Sequence, residues 1–227
     1  QHLGVAEKQL ILSPSSDAAF KALYQAYVRK GDSVVMLDPS YAMFSVYANM
    51  FQGKSVLVPF NEKVELDIEY LLHSIQPGVR LVMIANPNQP TATIVAESVL
   101  REVIKKAEGV GALVAMDEAY YPVSGVTALP WLPDSRNLLI IRTFSKAAGL
   151  AGLRLGYVAG DPEVIHNLYK VRTVNDVNSM SILCADEILK HPEIIDDYVA
   201  QVEAGEAVLK SALPELGLEV LPTHANF

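Results

Sequence analysis

The chain has 227 residues, of which 51% are hydrophobic, and a formal net charge of −8. This length and apolar content suffice for one large domain, or for one domain and part of another. The acidic balance argues against a nucleic-acid partner, although a few local donors can still bind a small anion. The single cysteine, Cys184, excludes an internal disulfide framework and favours a reducing, cytoplasmic location. No signal peptide, membrane-spanning run or metal-like histidine spacing is visible, so neither a membrane partner nor a metal is expected.

Short aliphatic runs alternate with helical patterns, which predicts an α/β domain with a mostly parallel central sheet. In chain order the predicted elements are strand Gln9–Leu12, helix Ser16–Lys30, strand Ser33–Leu37, helix Tyr41–Gln52, strand Ser55–Val58, helix Asp67–Ile75, strand Arg80–Ala85, helix Ala96–Glu108, and strands Ala112–Met116, Leu138–Arg142 and Leu155–Val158. Ligands of such sheets gather at the carboxyl ends of the strands, so we look for chemistry there.

From about residue 161 the pattern changes to three helices and a short strand: Asp161–Arg172, Ser179–Leu189, Pro192–Leu213 and Leu218–Leu221. We interpret residues 1–160 as a large domain and residues 161–227 as connector helices with the start of a smaller C-terminal domain. The abrupt ends, QHLGVAEKQLIL and PTHANF, lead us to expect a chain truncated at both ends.

The segment RTFSKAAGLAGLRLGY, residues 142–157, follows a predicted strand. A lysine and an arginine are usually on the surface, and that reading remains open here. The flanking residues, however, are nearly all apolar or small. Hydroxyls at Thr143 and Ser145, together with Arg154, can bind a phosphate while Lys146 presents an amine.

Two further strands end in polar residues. ALVAMDEAYYPV, residues 112–123, places Asp117 at the edge of the sheet and Tyr120 three positions later. ANPNQPTAT, residues 85–93, brings the amide of Gln89 beside Asp117 if the two strands are neighbours. Solvated acids and a simple Asn/Pro turn are the alternative readings.

ILSPSSDAAFKAL, residues 11–23, indicates a strand, a serine-rich turn and a helix. Ser15, Ser16 and Asp17 can simply cap this helix, or its free N–H groups can bind an anion. Tyr41, in DPSYAMF, is either part of the core or a ring that lies against a planar ligand.

In their order and spacing these segments resemble the class I/II, fold-type I aminotransferases that depend on pyridoxal 5′-phosphate (PLP), and most of all the histidinol-phosphate aminotransferase-like branch. The resemblance implies a fold-type I large domain. Lys146 would hold PLP as a Schiff base and move the substrate proton, and Asp117 would pair with the pyridine nitrogen. Tyr120 and Gln89 would bind the ring 3′-oxygen, and Tyr41 would stack on the ring. The phosphate would be held by a larger set: Ser15, Ser16, Asp17, Thr143, Ser145 and Arg154.

The chain departs from the family pattern in a few places. Gln89 stands where many members have Asn, Ala92 replaces a glycine, and serines replace a more usual glycine-containing turn before the first helix. These departures leave the substrate open.

The resemblance implies a homodimer that moves an amino group between an amino acid or amino-phosphate compound and a 2-oxo acid. A PLP-dependent decarboxylase or lyase of the same fold is the alternative, and a non-catalytic PLP-fold module is a third possibility.

Overall fold

The computed structural model describes residues 3–227 and contains a seven-stranded sheet. Its strands are β1 Leu10–Ser13, β2 Ser33–Asp38, β3 Lys54–Pro59, β4 Val79–Ala85, β5 Leu113–Asp117, β6 Leu138–Thr143 and β7 Gly156–Gly160. The sheet order is β1-β7-β6-β5-β4-β2-β3, and only β7 runs antiparallel to its neighbours. The predicted α/β class and mostly parallel sheet are confirmed.

Helices cover both faces of this sheet. They are α1 Ser16–Tyr27, α2 Met43–Met50, α3 Ile68–Ser74, α4 Glu97–Gly109, α5 Tyr121–Ser124, α6 Pro162–Val171, α7 Ser179–Lys190 and α8 Glu193–Ala212. Helices α1, α2 and α6 bury their apolar faces in one core cluster, whereas α3 and α4 pack into a second cluster. Two cores separated by a buried sheet are what nearly continuous apolar strands predict.

The sequence of α1 explains both its start and its orientation. The Ser15 side chain accepts a hydrogen bond from the Ala18 N–H at 3.2 Å, which caps the first turn. Phe20, Leu23 and Tyr24 are buried against the sheet, at the spacing of one helix face. This packing holds the N-terminus of α1 at the carboxyl edge of the sheet.

The largest departures from the predicted elements are at the end of α1 and at the predicted strand near the C-terminus. Helix α1 ends at Tyr27, three residues before the expected Lys30, because Val28 adopts an extended conformation and is buried. The predicted strand Leu218–Leu221 is wrong. Within residues 3–227 this segment has no neighbouring strand with which it could pair, and most of its residues are exposed.

The helices of residues 161–227 differ in how far they are buried. Helix α6 contributes Val164, Ile165 and Leu168 to the core of the sheet, whereas α8 has no buried residue. The division at residues 1–160 and 161–227 stays a prediction, and residues 1 and 2 lie outside the described part. Within that part, no helix combines the length and apolar character needed to cross a membrane.

Candidate active site

A cavity of about 150 Å³ lies where the carboxyl ends of the strands meet the N-terminus of α1. All eleven residues that the sequence singled out line this cavity, together with Ala119: Ser15, Ser16, Asp17, Tyr41, Gln89, Asp117, Tyr120, Thr143, Ser145, Lys146 and Arg154. Segments up to 139 residues apart in the chain therefore converge on one space. Their individual roles stay predictions.

Asp117 closes β5 and is almost completely buried, with 8% of its surface exposed. The Ala119 N–H donates to its Oδ1 at 3.1 Å. Burial raises the pKa of this carboxyl to about 7, and the Ala119 hydrogen bond and the nearby Lys146 charge only partly oppose the rise. A buried carboxylate of this kind favours a ligand that brings a positively charged N–H group.

The strands on either side of β5 order the loops around Asp117. Ala85 of β4 is paired with Asp117, and the Asn86 N–H donates to the Asp117 carbonyl at 2.8 Å. The predicted proximity of the Asn/Pro turn to Asp117 is thus confirmed. The next residues of that turn carry Gln89 to the cavity wall.

Lys146, Tyr120 and Gln89 form one wall of the cavity. The Tyr120 hydroxyl donates to Gln89 Oε1 at 3.4 Å, and Lys146 Nζ lies 5.1 Å from the centre of the Tyr120 ring. The longer side chain of Gln89 therefore still reaches the tyrosine. Ala92, which replaces the family glycine, is buried and has φ 54°, a left-handed conformation that L-residues rarely adopt.

Another part of the cavity lining is rich in hydrogen-bonding groups. The Thr143 hydroxyl donates to the Leu155 carbonyl at 3.3 Å and accepts from the Ser145 N–H at 3.1 Å. Ser145 Oγ is buried and has no hydrogen-bond partner within the described chain. Arg154 is exposed, and its Nη1 donates to the Ala151 carbonyl at 3.1 Å. An unsatisfied hydroxyl and a guanidinium that line the same cavity suit an anionic ligand.

Gly156 allows the N-terminus of α1 to approach these donors. A Cβ at this position would lie 2.7 Å from the Ser16 nitrogen and 2.8 Å from the Arg142 carbonyl oxygen. Ser15 itself has φ 144°, a value that a glycine adopts more easily. The serine-rich turn thus keeps the backbone shape of a glycine-containing one.

The side chain of Asp17 points to two tyrosines. The Tyr41 hydroxyl donates to Asp17 Oδ1 at 3.2 Å, and the Tyr47 hydroxyl donates to Oδ2 at 2.8 Å. Burial and then the Asp17 charge raise the pKa of Tyr41 to about 12. An anion at this helix end would therefore meet the N–H groups of Ser16 and Asp17, while the Asp17 carboxylate orders the ring of Tyr41.

Two groups that support the site were not predicted from the sequence. Asn88 is fully buried, donates to the Pro39 carbonyl at 2.9 Å and accepts from Ser40 Oγ at 2.7 Å, so it ties the loop of Tyr41 to the loop of Gln89. Glu118 and Arg142 form a buried ion pair. The charged residue inside the apolar run of β6 was the available signal for this pair.

Comparison with known proteins now gives this arrangement a family. The model of the family described as "Aminotransferase class I and II" matches residues 2–227. The chain belongs to this aminotransferase family. The predicted resemblance is confirmed over essentially the whole chain.

Individual relatives agree with the family match. The chain is 32% identical over 228 residues to the histidinol-phosphate aminotransferase of Caldanaerobacter subterraneus subsp. tengcongensis, and 35% identical over 228 residues to histidinol-phosphate aminotransferase 1 of Carboxydothermus hydrogenoformans. Both alignments cover 100% of this chain and 64% of the relative. The chain therefore spans less than two thirds of the length of these aminotransferases.

A solved structure confirms the fold. Histidinol-phosphate aminotransferase from Sinorhizobium meliloti, in complex with pyridoxal-5′-phosphate, superposes with a TM-score of 0.89 at 24% identity. The match covers 99% of this chain and 62% of that one. The fold-type I architecture of aminotransferases expected from the sequence is thus present in residues 3–227.

Proposed function

We propose that this chain is the PLP-binding part of an aminotransferase that moves an amino group between an amino acid or amino-phosphate compound and a 2-oxo acid. One observation carries the proposal. A single cavity is lined by a primary amine, Lys146, a buried carboxylate, Asp117, and a set of hydroxyl and guanidinium donors that suits an anion. PLP has an aldehyde, a ring nitrogen and a phosphate, and so it complements all three.

The donor set passes a more specific test of fit. Asp117 has its pKa raised to about 7 by burial and has only a backbone N–H as hydrogen-bond partner, so a pyridinium N–H would complete its environment. Ser145 Oγ is buried without a partner, which a phosphate oxygen would satisfy. The Sinorhizobium meliloti relative, whose structure is described as a complex with pyridoxal-5′-phosphate, supports the same cofactor.

Each side chain then has a physical task. PLP, when bound, supplies an electron-withdrawing ring that accepts the electron pair of a broken substrate bond. Asp117 would keep the ring nitrogen protonated. Lys146 Nζ would hold the cofactor and would serve as the base for the proton on the substrate α-carbon. Tyr120 and Gln89 would bind the ring 3′-oxygen, and Tyr41, held by Asp17, would supply an aromatic surface for the ring.

We assign the phosphate to the N-terminus of α1 and the donors that line the same cavity. The N-terminus of α1 offers the backbone N–H groups of Ser16 and Asp17 together with the helix dipole. The hydroxyls of Thr143 and Ser145 and the guanidinium of Arg154 complete this set. Arginine suits a phosphate because its planar group donates two parallel hydrogen bonds.

The names of the relatives favour transamination over the decarboxylase or lyase alternative, and they suggest histidinol phosphate as the amino-phosphate compound. A homodimer and a cytoplasmic location are part of the proposal. The first rests on the family resemblance and the second on the single cysteine.

The experiment is a PLP titration of the purified protein, followed by borohydride reduction and peptide mapping. We expect one PLP adduct, on Lys146, and its loss in Lys146→Ala. Lys105→Ala, a substitution of an exposed lysine on α4, is the matched control and should retain the adduct. Absence of any adduct in the unsubstituted protein would overturn the proposal.

The reaction type is tested with the PLP-loaded protein. Histidinol phosphate or L-glutamate should convert the bound cofactor to its amino form, whereas CO₂ release would favour a decarboxylase. A cofactor that binds but reacts with no amino donor would indicate the non-catalytic module.

A further inference from the structure

Glu118 and Arg142 form a buried ion pair beside the candidate active site. Arg142 donates to Glu118 Oε2 from Nε at 2.9 Å and from Nη2 at 2.8 Å, and the two side chains are 10% and 1% exposed, with Glu118 the more buried. Neither residue lines the cavity that contains Lys146. Both line a separate cavity of about 570 Å³ on the sheet. They are therefore not expected to touch the cofactor.

Further hydrogen bonds complete the environment of the pair. The Thr127 hydroxyl and the Ala128 N–H both donate to the Glu118 carboxylate, at 2.8 Å and 2.7 Å. The Arg142 guanidinium lies 3.6 Å from the centre of the Tyr121 ring. Every oxygen and most N–H groups of the pair thus have a partner, which is the condition under which buried charges are tolerated.

The pair connects the two segments that carry the predicted chemistry. Glu118 directly follows Asp117, and its N–H donates to the Ile141 carbonyl of β6 at 2.9 Å. Arg142 directly precedes Thr143, at the start of the loop that carries Lys146. The ion pair thus joins the ends of β5 and β6 just where the carboxylate and the amine leave the sheet.

We propose that Glu118 and Arg142 are positioning residues, and that Arg142 neutralises Glu118 so that Asp117 alone presents a free carboxylate charge at the end of β5. The inference rests on the proposed function, because it concerns how Asp117 receives the ring nitrogen of PLP.

Several charged and titratable groups near Asp117 affect its ionisation. The Glu118 charge by itself raises the pKa of Asp117 and the Lys146 charge lowers it. Tyr41 also interacts with Asp117, and Asp17, Tyr120 and Arg154 stand on the cavity wall. Facing the ion pair itself are Tyr121 and Tyr157 and, across the second cavity from α7, Asp186.

Substitutions of the two members of the ion pair should therefore shift the pKa of Asp117 in opposite directions. Arg142→Met leaves the Glu118 charge uncompensated, which opposes ionisation of Asp117. Glu118→Gln leaves the Arg142 charge uncompensated, which promotes it. The double variant is neutral at both positions and should return towards the original behaviour.

The experiment measures the PLP dissociation constant between pH 5.5 and 8.5, with the thermal unfolding midpoint of each protein recorded alongside. The affinity for PLP should decrease as the pH drops below a midpoint that is set by the ionisation of Asp117. We expect this midpoint to move up in Arg142→Met and down in Glu118→Gln, with the double variant between them. A rise of the midpoint by about one pH unit, from about 7, should weaken PLP binding by Arg142→Met about fivefold at pH 7, because the ionised fraction of Asp117 falls from about one half to about one eleventh.

The exposed ion pair of Arg101 and Glu97 on α4 provides the control. Arg101→Met and Glu97→Gln change the same charges far from the cavity and should leave the midpoint in place. A merely structural role would lower the unfolding midpoint in both buried variants without moving the pH midpoint in opposite directions, and this result would overturn the inference.

The conservative variant guards against loss of folding. Arg142→Lys keeps the positive charge but loses the forked contact, and it should keep the original pH midpoint with a lower unfolding temperature. A midpoint that moves as far in Arg142→Lys as in Arg142→Met would also overturn the inference. If the unsubstituted protein binds no PLP, the proposed function fails and this inference fails with it. Binding by the unsubstituted protein with no opposite shifts defeats the inference alone.

Discussion

Asp117→Asn should stabilise the cofactor-free protein at neutral pH, although it removes the predicted partner of the cofactor. The pKa of this carboxyl rises from its ordinary 3.8 to about 7 because the side chain is buried. The native protein thus binds the Asp117 proton more tightly than the unfolded chain does. The associated stability is present below pH 3.8 and is lost as the pH rises to 7.

The size of the stabilisation follows from the ordinary pKa of 3.8 and the raised pKa of about 7. A difference of about three pH units at full ionisation corresponds to about 4 kcal/mol of unfolding free energy. Asparagine keeps the shape and can still accept from the Ala119 N–H, but it carries no charge to desolvate. Its advantage over aspartate should therefore be about 2 kcal/mol at pH 5.5 and about 4 kcal/mol at pH 8.

The assay is urea unfolding of the cofactor-free protein at several pH values between these limits. Asp134→Asn, at an exposed position, is the control for loss of one negative charge and should show no comparable trend. The same Asp117→Asn protein should bind PLP much more weakly. An advantage that stays constant with pH, or a less stable Asp117→Asn protein at pH 8, would refute the reasoning.

Two further predictions concern the N-terminus of α1. Gly156→Ala should destabilise the protein by about 1–3 kcal/mol and weaken PLP binding, because the new methyl group meets backbone atoms of β6 and α1. Gly152→Ala, where a Cβ has no neighbour within 4 Å, should be nearly neutral in the same urea and PLP titrations. Tyr47→Phe removes a 2.8 Å hydrogen bond to Asp17 and should lower the unfolding free energy by about 1–2 kcal/mol. The exposed Tyr70→Phe is its control, and equal effects of the two substitutions would contradict this reading.

The fold was largely accessible from the sequence because its strands are buried on both faces. Runs such as residues 80–85 and 138–142 are apolar almost throughout, and seven of the eight predicted strands occur within one or two residues of their expected bounds. The failure at Leu218–Leu221 has the opposite cause. A short apolar run becomes a strand only beside a partner, and the sequence does not show whether a partner is present.

The convergence of the site was also predictable, because parallel strands end at one edge of a sheet. The connections between side chains were not. Asp17 was expected only as part of the N-terminus of α1. Its carboxylate in fact accepts hydrogen bonds from Tyr41, just before α2, and from Tyr47, within α2. The partner of Arg142 depends on which strands are adjacent, and the order of strands cannot be read from their apolar patterns.

The contact at Gly156 limits the length of the ligand that the cavity can bind. Backbone from β6, β7 and α1 meets there with no side chain between the segments, so the anion-binding end is fixed to the sheet that also carries Asp117. Close-packed backbone of this kind yields little under load. The distance from the N-terminus of α1 to the Asp117 carboxylate is thus fixed, and a ligand that contacts both must match it. Any variation in the ligand must therefore be accommodated by the other walls of the cavity.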